Sequence, residues 1–203
     1  FRGYEDESGK VIDKDRVHFW EVFGAFWWAV VSLGLANQIR GTGTPSVERA
    51  VIGRRTSEAQ IDCVNLIIPG PLESQPEATA TVTSDLPGTE ELVGIVSDFL
   101  RNEAMSALSG RTSFLARVSA NGLDTVVREL HQGPGQRQRE TKRLRSLLAT
   151  SIGDLDELRW MLVRGLRNEE IAIDHPGLIE HLRNTVVGQA GINQPKYSGY
   201  ATA

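Results

Sequence analysis

Apolar residues recur at helical spacing through most of the chain. Between Asp15 and Arg40 two neighbouring stripes run together. One is Trp20, Phe23, Trp27, Val30, Val31 and Gly34; the other is Phe19, Val22, Phe26, Ala29 and Leu33. Both follow the i, i+3, i+4, i+7 rule, so the segment predicts a long helix that is apolar over most of its circumference. Gly41 would be its left-handed stop. Residues 22–39 carry no charge, which reaches the lower edge of a membrane-spanning length. Gly24, Ser32, Gly34, Asn37 and Gln38 interrupt that run, however, and Arg16, His18 and Glu21 sit directly before it. The pattern predicts a central helix buried in a soluble protein rather than a span.

A polar stretch, Tyr4 to Lys14, precedes this helix. After a turn at Gly41–Pro45 and the segment Ser46–Arg55, another helix is predicted from Thr56 or Ser57 to Ile67, with Ser57 and Gln60 at capping-box spacing. Residues 69–88 then gather Pro69, Pro71, Pro76 and Pro87 with Gly70, Gly88 and many Ser and Thr, and hold no sustained period. That is a linker signature.

Beyond it the spacing predicts five helices. The first covers 89–109 and stops at Gly110. The second covers 112–132 and stops at Gly133-Pro134-Gly135, and the third covers 136–150. The fourth, 154–169, has Asp154 and Glu157 in capping-box register and Leu155, Leu158, Leu162 and Leu166 on one face. The fifth begins at Pro176, the favoured first helical position, and buries Leu178, Ile179, Leu182 and Val186. Only short Val/Ile/Thr pieces compete with this pattern. The expected fold is all-α: residues 1–68, a linker at 69–88, a five-helix bundle-like domain at 89–198 and a tail at 199–203. Residues 86–198 should close a core of their own, whereas 1–68 should need neighbours.

Composition narrows the picture little. Apolar residues make up 40% of the 203, enough for an ordinary core. A net charge of −4, from 22 basic and 26 acidic residues, removes any general drive towards nucleic acid or anionic lipid. The lone Cys63 forbids an intramolecular disulfide and a multi-thiolate zinc site, and among Ile61, Val64 and Leu66 it reads as a buried small residue. A cytoplasmic location is expected, with no nucleic-acid and no membrane partner. The chain begins at Phe1 rather than Met, which suggests the tail of a longer protein.

Candidate chemistry is sparse. The chain contains no phosphate-cradling G-x-x-x-x-G-K-[ST] or G-x-G-x-x-G loop, no G-x-S-x-G elbow and no H-E-x-x-H pair. None of His18, His131, His175 and His181 opens a His-Gly-Asp or His-Arg-Asp loop. No catalytic residue and no metal ligand is therefore expected. Gly53-Arg54-Arg55 is a cationic turn before a helix and could hold a phosphate or carboxylate; the structural alternative pairs these arginines with acids such as Glu48 or Glu58. Arg117, Asn121, Asp124 and Arg128 form one polar stripe, in which Arg117 and Asn121 could line a small-molecule site. The structural alternative is a solvated or helix-pairing face, with Asp124–Arg128 as an ordinary i, i+4 pair and, where the face pairs, the Asn121 amide buried against a neighbouring helix. The basic run 137–145 holds five positive charges and one negative with no aromatic between them, which predicts a solvated helix face.

Two stretches carry a resemblance. Val17-His-Phe-Trp-Glu-Val-Phe-Gly-Ala-Phe-Trp-Trp28 and Val47-Glu-Arg-Ala-Val-Ile-Gly-Arg-Arg-Thr-Ser-Glu-Ala-Gln-Ile-Asp-Cys63 are similar to the C-terminal end of aminoglycoside/choline phosphotransferase-like kinases, over about residues 1–68. The resemblance is to the bacterial branch linked to acyl-CoA dehydrogenases. It implies a parent that phosphorylates a small hydroxyl-bearing substrate with ATP and Mg²⁺, whose catalytic loop and metal-binding Asp have no matching position here. This chain itself would need no cofactor. Its implied partners are the remaining kinase lobe or an acyl-CoA-metabolising enzyme. Residues 86–198 resemble a bacterial helical domain of unknown function found beside such kinases, through Glu91–Leu100, Phe114–Asn121, Val127–Leu130 and Asn193–Ser198. Alternatives to a kinase fragment are a standalone helical docking module and a small-molecule-binding bundle.

Overall fold

A computed structural model describes residues 1–40, 46–68, 70, 87–151 and 153–201. Every regular element among them is helical, in keeping with the all-α expectation. The predicted Gly41 stop, the Gly41–Pro45 turn and nearly all of the 69–88 linker lie outside the described residues.

The polar start forms a short helix, α1 (Arg2–Ser8), closed by Gly9 in the left-handed region at φ 65°. The long apolar helix is α2 (Lys14–Arg40). Ser46 caps α3 (Val47–Arg54) by accepting from the Arg49 amide at 3.3 Å. A single residue, Arg55, then leads into α4 (Thr56–Ile67). The Ser57/Gln60 capping box does not form, because α3 runs so directly into α4 that Ser57 lies inside the helix. Its hydroxyl donates to the Arg54 carbonyl at 3.3 Å instead.

The expected burial of α2 is corrected by the structure. A stripe of small and medium residues, Val22, Ala25, Ala29, Ser32 and Ala36, is half-buried or buried, whereas Phe19, Trp20, Phe23, Phe26, Trp27 and Trp28 are exposed. The neighbours α3 and α4 cover only the side that lets them approach closely. At Gly53 a Cβ would lie 2.6 Å from that of Ala36, so this crossing requires glycine. The aromatics are left to pack on one another along the outer face. Trp20 and Phe23 meet edge-on with centroids 5.5 Å apart, and Phe23 stacks on Trp27 at 6.5 Å.

The second half begins with α5 (Thr89–Phe99), where Glu91 accepts from the Gly88 amide at 2.8 Å. A π-helical turn (Leu100–Ala104) and a short α6 (Met105–Ala107) follow. The helix ends there, ahead of the expected Gly110. That glycine, at φ 56°, instead opens α7 (Gly110–Leu147).

The helix α7 overturns a second expectation. The predicted 112–132 and 136–150 helices are one element that runs straight through Gly133-Pro134-Gly135. Proline removes the bond to the Leu130 carbonyl, a local cost of about 3 kcal/mol relative to alanine. Packing on both sides of it outweighs that cost: Gly133, Glu140 and Leu144 are buried, and α7 packs extensively on α9 (Pro176–Asn193).

Between them lies α8 (Leu155–Arg167), which starts as predicted. Asp154 accepts from the Glu157 amide at 2.9 Å, and Glu157 accepts from the Asp154 amide at 3.0 Å. At the head of α9, Pro176 occupies the first turn and His175 Nδ1 accepts from the Gly177 amide at 3.1 Å.

Two apolar clusters hold the helices. Leu144, Leu158, Leu162 and Leu178 join α7, α8 and α9, flanked by Leu147, Leu148, Leu155, Met161, Leu166 and Ile171. Burying each of these leucines contributes about 2 kcal/mol. The other cluster joins Ile61 and Val64 of α4 to Val186, Val187 and Ala190 of α9. This core crosses the expected 1–68/89–198 division, because α9 is apolar on two sides. Polar ties reinforce the crossing. Arg183 donates to the Ile68 carbonyl at the end of α4 (2.8 Å), and Tyr197 donates to Asp62 (2.7 Å). The expected tail also has structure: α10 (Ser198–Ala201) docks on α4, with Asn65 donating to the Gly199 carbonyl at 2.9 Å.

Candidate functional site

An open cleft of about 820 Å³ lies between α3, α7 and the segment that follows α9. All four sequence candidates line it: Arg54 and Arg55 from α3 and its end, and Arg117 and Asn121 from α7. Residues distant in sequence are thus brought together, because α3 packs across α7.

Most of the cations are held. Arg54 pairs with Glu129 at 2.6 Å, and Arg55 makes a two-pronged pair with Glu58 at 3.0 Å for each bond. The Glu58 bonds raise the Arg55 pKa further above its ordinary value. The expected Glu58 partner is therefore found for Arg55, whereas Glu48 pairs with Arg111 at 3.0 Å. The expected Asp124–Arg128 pair is replaced by other bonds. Asp124 takes Arg101 and the Ser97 hydroxyl, the latter at 2.7 Å. Arg128 turns to the end of α9, donating to the Ile192 carbonyl at 2.6 Å and to Thr125 at 2.9 Å. Burial lowers the Arg128 pKa, and the Asp124 carboxylate opposes that shift.

Asn121 is exposed in the cleft, as a solvated face would have it, and is not buried against a helix as a helix-pairing face would require. Among the described residues its side chain accepts one hydrogen bond, from Arg101 at 3.4 Å. Arg117 is also exposed, with its guanidinium 5.6 Å from the centre of the Phe114 ring. The residues that sequence reasoning missed are Arg101, Glu129 and Lys196. Arg101 and Glu129 reach the site only through helix packing, which no local motif announces.

The basic run 137–145 is only partly a solvated face. Glu140 and Leu144 are buried, and Arg159 grips Glu140 through two bonds of 2.8 and 2.7 Å. Arg143 donates to Thr185 at 3.3 Å. Beside them His181 is buried, and burial with the nearby Arg143 pushes its pKa down to about 4. Cys63 is half-buried, with Sγ 4.0 Å from the Val22 carbonyl, and burial raises its thiol pKa. That makes it a weak nucleophile. No group of three His, Cys, Asp or Glu able to hold a metal occurs among the described residues.

Fold and cleft together define an all-helical protein with an open, cation-rich groove. Residues 106–197, from α6 to the start of α10, match a family described as a domain of unknown function (DUF6285). The helical-domain resemblance of 86–198 is thereby met over most of its length. No curated protein and no solved structure matches the chain.

Proposed function

We propose that this chain is the non-catalytic C-terminal portion of a phosphotransferase-like small-molecule kinase, with residues 1–68 closing the kinase C-lobe and the helical domain attached as an accessory. One observation carries this: the outward aromatic face of α2, where Phe19, Trp20, Phe23 and Trp27 form a continuous row that solvent would not favour. By length and composition Lys14–Gln38 could also cross a membrane. Its opposite side is already fitted closely to α3 and α4, and acidic residues offset the basic ones at its start, which favours a protein surface over a bilayer. ATP and Mg²⁺ would bind in the rest of the kinase, which would supply the phosphate cradle and metal carboxylates. A docking module on a separate kinase or acyl-CoA-metabolising enzyme would use the same face, with the partner on another chain.

The test has two parts. Calorimetric titration of the 203-residue chain with ATP and Mg²⁺ should give no heat of binding. The reading frame upstream of Phe1 should encode a His-Gly-Asp loop, and joining that lobe should shield Trp20 and Trp27 from acrylamide quenching. Micromolar, Mg²⁺-dependent ATP binding by this chain, or unchanged quenching in the longer protein, would overturn the proposal.

A further inference from the structure

The cleft brings six cationic side chains together with three carboxylates, on a chain whose net charge is −4. Such a local excess repels itself and is stable only at a cost unless an anion relieves it. Arg54, Arg55 and Arg101 are paired with carboxylates, and Arg128 is spent on the end of α9. Arg117 and Lys196 have no carboxylate partner among the described residues, and both line the cleft, one from α7 and the other from the segment after α9. The Phe114 ring positions the Arg117 guanidinium while leaving its N–H fork unpaired. One turn along α7, the Asn121 carbonyl oxygen accepts from Arg101, and its amide donors have no partner among the described residues. Between these polar groups, Val51, Val118 and Pro195 offer apolar wall.

We propose that this cleft binds a small organic phosphate, with the phosphoryl dianion held by Arg117, Lys196 and the Asn121 amide, and an aromatic or other apolar body resting on the Val51 and Val118 wall. A surplus of several positive charges suits a dianion better than a single carboxylate, and the arginine fork matches phosphate oxygens in pairs. The site differs from an ATP–Mg²⁺ site, since its three carboxylates, Glu48, Asp124 and Glu129, are each engaged by an arginine and form no group able to hold a metal among the described residues.

The probes are phenyl phosphate, inorganic phosphate and benzoate, each titrated into the 203-residue chain and followed by NMR of the arginine side chains and of the α7 amides. Phenyl phosphate should bind saturably without Mg²⁺, more tightly than either inorganic phosphate or benzoate, and should shift signals at Arg117 and Asn121. Arg117→Gln and Lys196→Gln should each weaken it about tenfold, as expected for loss of one charge-assisted contact. Lys142→Gln, an exposed substitution on the same helix that removes the same charge outside the cleft, should leave binding unchanged. Three results would overturn the proposal: no saturable shift, equal weakening by Lys142→Gln, or benzoate binding as tightly as phenyl phosphate.

Discussion

The two longest helices of this protein behave in opposite ways. The uncharged, aromatic stretch of α2 leaves most of its large side chains in solvent. By contrast α7, polar over much of its length and interrupted by a proline, threads the molecule and is packed by α3, α5, α8 and α9. Hydrophobicity therefore does not decide which helix is central. The difference lies in what each helix presents to its neighbours. On α7, Ala116, Ala120 and Leu144 lie where other helices can reach them, whereas the neighbours of α2 sit on its small residues and leave its rings outside. A helix that is apolar over most of its circumference has more surface to bury than α3 and α4 cover, and the remainder stays exposed.

The largest expected effect separates these two helices directly. Leu144→Ala removes a fully buried side chain from the cluster of Leu158, Leu162 and Leu178, and should cost about 2–5 kcal/mol in a denaturant melt. Trp27→Ser, a much larger truncation on α2, should change the stability of this chain by under about 1 kcal/mol, because the ring is more than half exposed. Equal losses would erase the contrast.

A second expectation concerns the charged side of the α7–α9 contact. His181 sits among Glu140, Arg143 and Arg159, with its pKa lowered from 6.5 to about 4. Below pH 6.5 the unfolded chain takes up a proton at this position that the folded chain refuses, so stability falls as pH drops through that window. Below about pH 4 both forms are protonated, and the loss levels off at about 3 kcal/mol. His181→Leu should flatten the upper half of that pH dependence, before ordinary carboxylates begin to titrate. An unchanged slope in melts at successive pH values would show that the imidazole is open to water.

Where local chemistry governs, the structure was legible in the sequence. Asp154 with Glu157 and Pro176 after His175 mark helix starts through bonds made within one turn, and the stripe Leu155, Leu158, Leu162, Leu166 announces its own buried face. Packing was not legible. Nothing near Ser57 reveals that α3 would run into α4, and no spacing rule shows Arg54 reaching Glu129 across to α7. The four candidate residues of the cleft could be named individually from charge and helical register. Their convergence, and the part played by Arg101 and Lys196, depend on helix crossings such as that of α3 over α7, where a Cβ at Gly122 would lie 3.4 Å from the Val51 side chain.

The same limit explains Gly133-Pro134-Gly135, a triplet that locally encodes a break and yet lies inside α7. If packing alone carries the helix through, the proline is a residual local penalty, and removing it should help. Pro134 is exposed, so Pro134→Ala loses little contact, restores an amide donor for the Leu130 carbonyl and gains intrinsic helix propensity. Against this stands the greater freedom that alanine gives the unfolded chain, worth about 0.4–1 kcal/mol. Set against the roughly 3 kcal/mol propensity difference, of which a packed helix returns only part, this leaves a net gain of about 1–2 kcal/mol. The gain should appear as a higher denaturant midpoint at unchanged m-value. Were the chain to turn at this triplet, alanine would restore no helical bond and would forfeit the stiffness of proline, and the midpoint would fall. The sign of that shift decides between one helix and two.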